Sequence, residues 1–162
     1  MTYSELNTLF ETIATAMTLS YENGPKDQLN TVLRNQATKY PICYSLPFIQ
    51  IGEGSSVNGP EFLIYDEYMV QIAFLDIDGT SRRTPDTNNA EKRSILDAMF
   101  IQAKIFLYNL YEGSLDELQN TQVMEYSIDP LTAFYDQNGA TGALLEFKIR
   151  TPATFDCAQI VV

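Results

Sequence analysis

The chain contains no histidine, and that absence removes more chemistry than any residue present supplies. Ser-His-Asp and Cys-His catalysis, His-ligated zinc and the usual general base near neutral pH all need an imidazole. Basic residues are also scarce. Ten Lys plus Arg stand against 21 Asp plus Glu, which leaves a formal charge of −11. A protein that grips phosphate backbones needs a cationic footprint, so sequence-specific nucleic-acid binding is not expected. There are two cysteines, Cys43 and Cys157, without CxxC spacing, and they read as separate thiols rather than a redox pair or disulfide. No long apolar run occurs. The most apolar window, 95–111, is broken by Asp97, Gln102, Lys104 and Asn109, so no membrane span is expected. The first residues lack a basic stretch followed by an apolar one, so no signal peptide is read there, and a soluble protein made in a cytoplasm is expected.

What is present is ordinary globular composition, 45% hydrophobic and 19% charged over 162 residues. That length makes one domain, burying roughly 70% of its unfolded surface. Leu6, Leu9, Phe10, Ile13 and Met17 recur at helical spacing, which predicts a helix over 4–21 capped by Thr2 or Ser4 and stopped by Asn23-Gly24-Pro25. A short helix over 27–36 is a weaker expectation. Residues 41–51 read as strand, with Pro47 at an edge or bulge, and 52–60 as a Gly- and Ser-rich loop. Residues 61–76 give the strongest strand signal, Tyr68, Val70, Ile72 and Phe74 alternating with Met69, Gln71, Ala73 and Leu75. A polar loop over 78–88 leads to a long helix over 89–112, capped by Gly113. Strands over 122–135 and 142–150 flank the turn residues Asp136-Gln137-Asn138-Gly139, and Pro152 is expected to end the second.

Helix, strands, helix, strands with short polar turns predicts a single α+β domain, an antiparallel β-sheet with the N-terminal and long helices packed on it. Sheet and long helix occupy 40–150, and 151–162 form a tail whose Phe155, Cys157, Ile160, Val161 and Val162 are unusually apolar for a chain end.

Phe74-Leu75-Asp76-Ile77-Asp78-Gly79-Thr80 resembles the first motif of haloacid-dehalogenase-type phosphatases. That resemblance implies Asp76 as nucleophile and Asp78 as acid/base at a Mg²⁺ site. The motif usually opens that family's parallel, doubly wound fold, whereas here half the chain precedes it. No later Asp-Asp or Gly-Asp pair completes a metal site. Asp-Ile-Asp-Gly is also a good turn, and that reading is preferred, with no catalytic residue, cofactor or metal.

A second likeness covers 37–158. Lys39-Tyr40-Pro41 enters a strand, and Asp66 to Phe74 forms an acidic, aromatic one. A helix over 91–111 follows, then Asp129 to Asp136, Thr141 to Phe147 and Phe155-Asp156-Cys157. This layout resembles the tail-completion or head-tail joining proteins of tailed bacteriophages, especially those of gut Bacteroidetes. The resemblance implies a non-enzymatic neck ring of six or twelve copies between the portal or adaptor protein and tail proteins, in a virion assembled in a bacterial cytoplasm. It also implies no membrane partner. An acidic lumen suits such a ring, because packaged DNA passes without sticking, although solubility alone also accounts for the charge.

The long helix gives independent grounds for assembly. Ile95, Met99, Ala103, Phe106 and Leu110 face one way, Ile101, Ile105 and Tyr108 nearly the opposite way. Leu96, Phe100, Leu107 and Tyr111 fill one flank. A helix apolar almost all round must be covered on more than one side. Either the N-terminal helix covers the second face or a neighbouring subunit does. The expected oligomer interface is therefore Ile101, Ile105 and Tyr108, with Phe155, Ile160 and Val161 of the tail.

Overall fold

A computed structural model describes residues 2–25, 40–58, 61–77, 89–112, 122–131 and 140–152. Two helices and six strands follow in the order α1 (Tyr3–Ala16), β1 (Ser20–Asn23), β2 (Ile42–Ser45), β3 (Ile49–Asn58), β4 (Glu61–Ile77), α2 (Asn89–Glu112), β5 (Gln122–Leu131) and β6 (Ala140–Pro152). The expected helices at 27–36, the Gly113 cap, the 78–88 loop and the 136–139 turn lie partly or wholly outside the described residues.

The fold is α+β, as the alternation of elements predicts. One mixed sheet runs β1-β2-β4-β6-β5, with β3 paired to β4 on the β2 side. Every pairing is antiparallel except β1 with β2, which is parallel. β4 and β6 form the spine. Their register runs unbroken from Tyr65↔Pro152 to Ile77↔Ala140.

Alternation along these strands sorts the side chains. Val70, Ile72 and Phe74 of β4 and Ala143, Leu145, Phe147 and Ile149 of β6 point into the main core with Cys43 of β2. Both helices cover that face through Leu6, Phe10 and Ile13 of α1 and Met99, Ala103, Phe106 and Leu110 of α2. Phe106 meets Phe10 and Phe74 edge-on, each at 5.6 Å between ring centroids. Burying a side chain of this size contributes about 1.5–3 kcal/mol before the edge-to-face term. On the opposite face Ile42, Tyr44, Ala73, Leu75 and Ala140 form a second, smaller buried cluster. Further down that face the pattern turns polar. Gln71 donates to Glu146, Lys148 pairs with Glu125 at 2.9 Å, and Arg150 reaches Glu67 at 3.5 Å while lying over the Tyr65 ring.

The structure corrects four expectations. The first helix ends at Ala16, not near Tyr21. Thr18 takes the left-handed conformation at φ 61°, and the Leu19 N–H donates to the Ala14 carbonyl while Thr18 N–H donates to that of Thr15. That is a Schellman stop built on threonine, without the glycine that marks such stops in a sequence. The next residues then pair as β1. At its start α1 uses Thr2: Glu5 N–H donates to the Thr2 hydroxyl and Thr2 N–H to the Glu5 carboxylate, a complete capping box.

Residues 41–51 are not one strand, because Leu46-Pro47-Phe48 separates β2 from β3. The presumed loop at 52–60 is strand as far as Asn58, in register from Gly52↔Glu67 to Asn58↔Glu61. Backbone pairing along the 17-residue β4 overrides the weak strand preference of Gly and Ser there. β6 extends to Pro152, which occupies the last register position opposite Tyr65, while the expected stretch of β5 beyond Leu131 lies outside the described residues. A proline at the end of a strand interrupts nothing beyond itself.

Candidate docking surface

α2 is 24 residues long, with neither Gly nor Pro inside it. Its core-facing side is Met99, Ala103, Phe106 and Leu110, with Ile95, Phe100 and Leu107 half-buried along the margins. Successive residues turn by about 100°, so Ile101, Ile105 and Tyr108 emerge almost opposite. They are exposed by 56%, 40% and 64%, and Tyr111 by 72%. Ala98, one turn before Ile101, is exposed in the same row. The result is a ladder of apolar and aromatic side chains aimed away from the sheet.

Of the two candidates for covering this face, α1 does not do so. It packs on the same sheet face as α2, sharing the core through Phe10 and Phe106, and lies in the same layer. Among the described residues, the outer face of α2 is left exposed. Tyr111, expected on the half-covered flank, is the most exposed large apolar side chain of the row. Phe155, Ile160 and Val161 lie outside the described residues, so the tail half of the expected interface is not placed.

Charges frame the stripe on one flank. Asp97 and Lys104 are both exposed and seven residues apart, so they lie along the same side of it. α2 as a whole balances Glu91, Asp97 and Glu112 against Lys92, Arg93 and Lys104. The entire formal charge of −11 thus belongs to the rest of the chain.

Periodicity along the helix did not reveal a second set of exposed apolar residues. Ile49 and Ile51 of β3 and Met124 and Tyr126 of β5 are exposed at the two edges of the sheet. Both strands carry a register shift, at Gln50/Gly52 and at Val123/Tyr126. Such bulges re-aim side chains, and a break in strict alternation was the available signal for them.

Asp76 sits near the end of β4, half-buried, and its Oδ1 accepts from the Ile77 N–H at 2.8 Å. That is local turn-type bonding. Asp78 lies outside the described residues. β4 is flanked by antiparallel β2 and β6, unlike the parallel neighbours the phosphatase motif requires. Among the described residues no three Cys, Asp or Glu side chains converge as metal ligands. Cys43 is wholly buried in β2, and burial pushes its thiol far above the usual range, away from the reactive thiolate. Among the described residues no helix is long and apolar enough to cross a membrane. Compared with known proteins, the chain matches no family and no curated sequence.

Proposed function

We propose that the chain is a structural subunit of a phage neck, a ring-forming head-tail connector or tail-completion protein that works by docking. The observation that carries this reading is the outer face of α2. Ile101, Ile105, Tyr108 and Tyr111 form an exposed apolar row in a chain of charge −11, and α1 does not cover it. Contiguous exposed apolar surface of this kind marks interaction sites, and tyrosines are favoured there. A ring of six or twelve copies between portal and tail covers the row with neighbouring subunits, and the acidic remainder suits a passage for DNA.

Purified particles of the phage that encodes the chain test this directly. Antibody-gold labelling should mark the neck, one site per particle, and the chain should be found in particles by mass. Particles that contain none of it, with the chain left in the host lysate, would refute the virion role.

A further inference from the structure

We propose that Asn23-Gly24 is a modification site guarded by the fold: the contact of α1 with β1 holds off a deamidation that its opening permits. In an Asn-Gly pair the backbone nitrogen attacks the preceding side-chain amide readily, because glycine has no Cβ in the way. In the folded chain both reacting groups are held. Asn23 is the last residue of β1, and its extended backbone keeps the Gly24 nitrogen from closing a five-membered ring on Cγ. Gly24 is buried, and its N–H donates to the Ser45 carbonyl of β2 at 3.1 Å. The Asn23 carboxamide donates from Nδ2 to Asn7 Oδ1 of α1 at 2.5 Å. Tyr21 donates its hydroxyl to the same oxygen at 2.7 Å.

Opening of the α1–β1 contact frees the pair. β1 is a four-residue strand at the end of the sheet, an element of the kind that opens before the central strands do. The Gly24 nitrogen then bonds to Asn23 Cγ, the Cγ–Nδ2 bond breaks, and the nitrogen's proton leaves with the amide as ammonia. Water opens the resulting succinimide at one carbonyl to give aspartate, or at the other to give isoaspartate. Neither product restores the contact. An aspartate at 23 has no donor for Asn7 Oδ1. An isoaspartate routes the backbone through its own Cβ and moves Gly24 off Ser45. Each adds a negative charge to a chain already at −11. The step is one-way, so a copy whose first helix has come loose is marked and stays loosened. The site goes beyond the neck reading and stands without it.

Peptide mass mapping of the full chain tests this, with isoaspartate counted by methyl transfer from S-adenosylmethionine through an isoaspartyl carboxyl methyltransferase. Asn58-Gly59 and Asn138-Gly139 are the same dipeptide and serve as references once the chain is unfolded. In urea at mildly alkaline pH the three pairs should convert at similar rates. In buffer at the same pH, Asn23 should convert roughly tenfold or more slowly than it does in urea. Asn7→Ala removes the acceptor and should speed conversion at Asn23 in buffer roughly two- to tenfold, the range that one lost hydrogen bond spans. Asn7→Asp keeps an acceptor and should hold the wild-type rate. Converted chains, separated by charge, should unfold at lower urea than unconverted ones. Conversion of Asn23 in buffer as fast as in urea would overturn the proposal. So would an Asn7→Ala rate equal to wild type, or converted chains as stable as the unconverted.

Discussion

A Cβ built on Gly142 would lie 1.8 Å from the carbonyl oxygen of Phe74. Those residues are on the central strands β6 and β4, one register step apart, and the approach is backbone to side-chain position, so no rotamer change can relieve it. Glycine here permits strand contact at the centre of the spine. Gly142→Ala should destabilise the protein by about 3 kcal/mol, read as a lower urea midpoint with an unchanged slope. A midpoint equal to wild type would show that β4 and β6 are not held this closely.

Thr18 should gain from the opposite change. A β-branched residue in the left-handed region costs about 1–2 kcal/mol, while glycine gives back about 0.4–1 kcal/mol through the unfolded chain. Thr18→Gly is therefore expected to stabilise by about 0.5–1 kcal/mol, a Tm rise of roughly 2–4 °C. Calorimetry decides the sign.

Tyr21 gives the fold an alkaline limit. Burial raises its phenol, pushed up to about 12, while its hydroxyl donates to Asn7 at 2.7 Å. The folded state thus keeps the proton that the unfolded state releases near pH 10. Its contribution is complete below that pH and is lost as pH rises toward 12. Urea midpoints should fall between pH 10 and pH 12, and Tyr21→Phe should make the fall shallower. An equally steep fall in the variant would assign the effect to other groups.

Neighbouring positions on α2 should separate folding from assembly. Phe106→Ala empties the space between Phe10 and Phe74 and should cost about 3–5 kcal/mol. Tyr108→Lys, two residues on and exposed, should change stability by no more than about 0.5 kcal/mol yet prevent association. Thermal unfolding beside sedimentation reads both. Loss of fold in Tyr108→Lys would place the stripe in the chain's own core.

Much of this organisation is legible in the residues. α2 was legible because its apolar periodicity is unbroken, and the two faces of β4 follow from alternation. Two boundaries were not legible, for different physical reasons. Thr18 stops α1 through a backbone conformation that threonine seldom takes, so composition carried no mark of it. Gly52 to Asn58 become strand because β4 offers an unpaired edge, a cause that lies elsewhere in the chain. The docking face was half legible. Helical spacing showed that α2 has an apolar outer row, but only the side-by-side placement of α1 shows that α1 does not cover it.

On the proposed reading, neighbouring subunits of a closed ring cover the exposed row of α2. Native mass spectrometry of the chain added to the portal complex of the phage proposed to encode it tests that most directly. A mass gain of six or twelve copies of 18.3 kDa is expected, abolished by Tyr108→Lys. A portal that gains no mass from the folded wild-type chain, or gains the same mass from the variant, would contradict it.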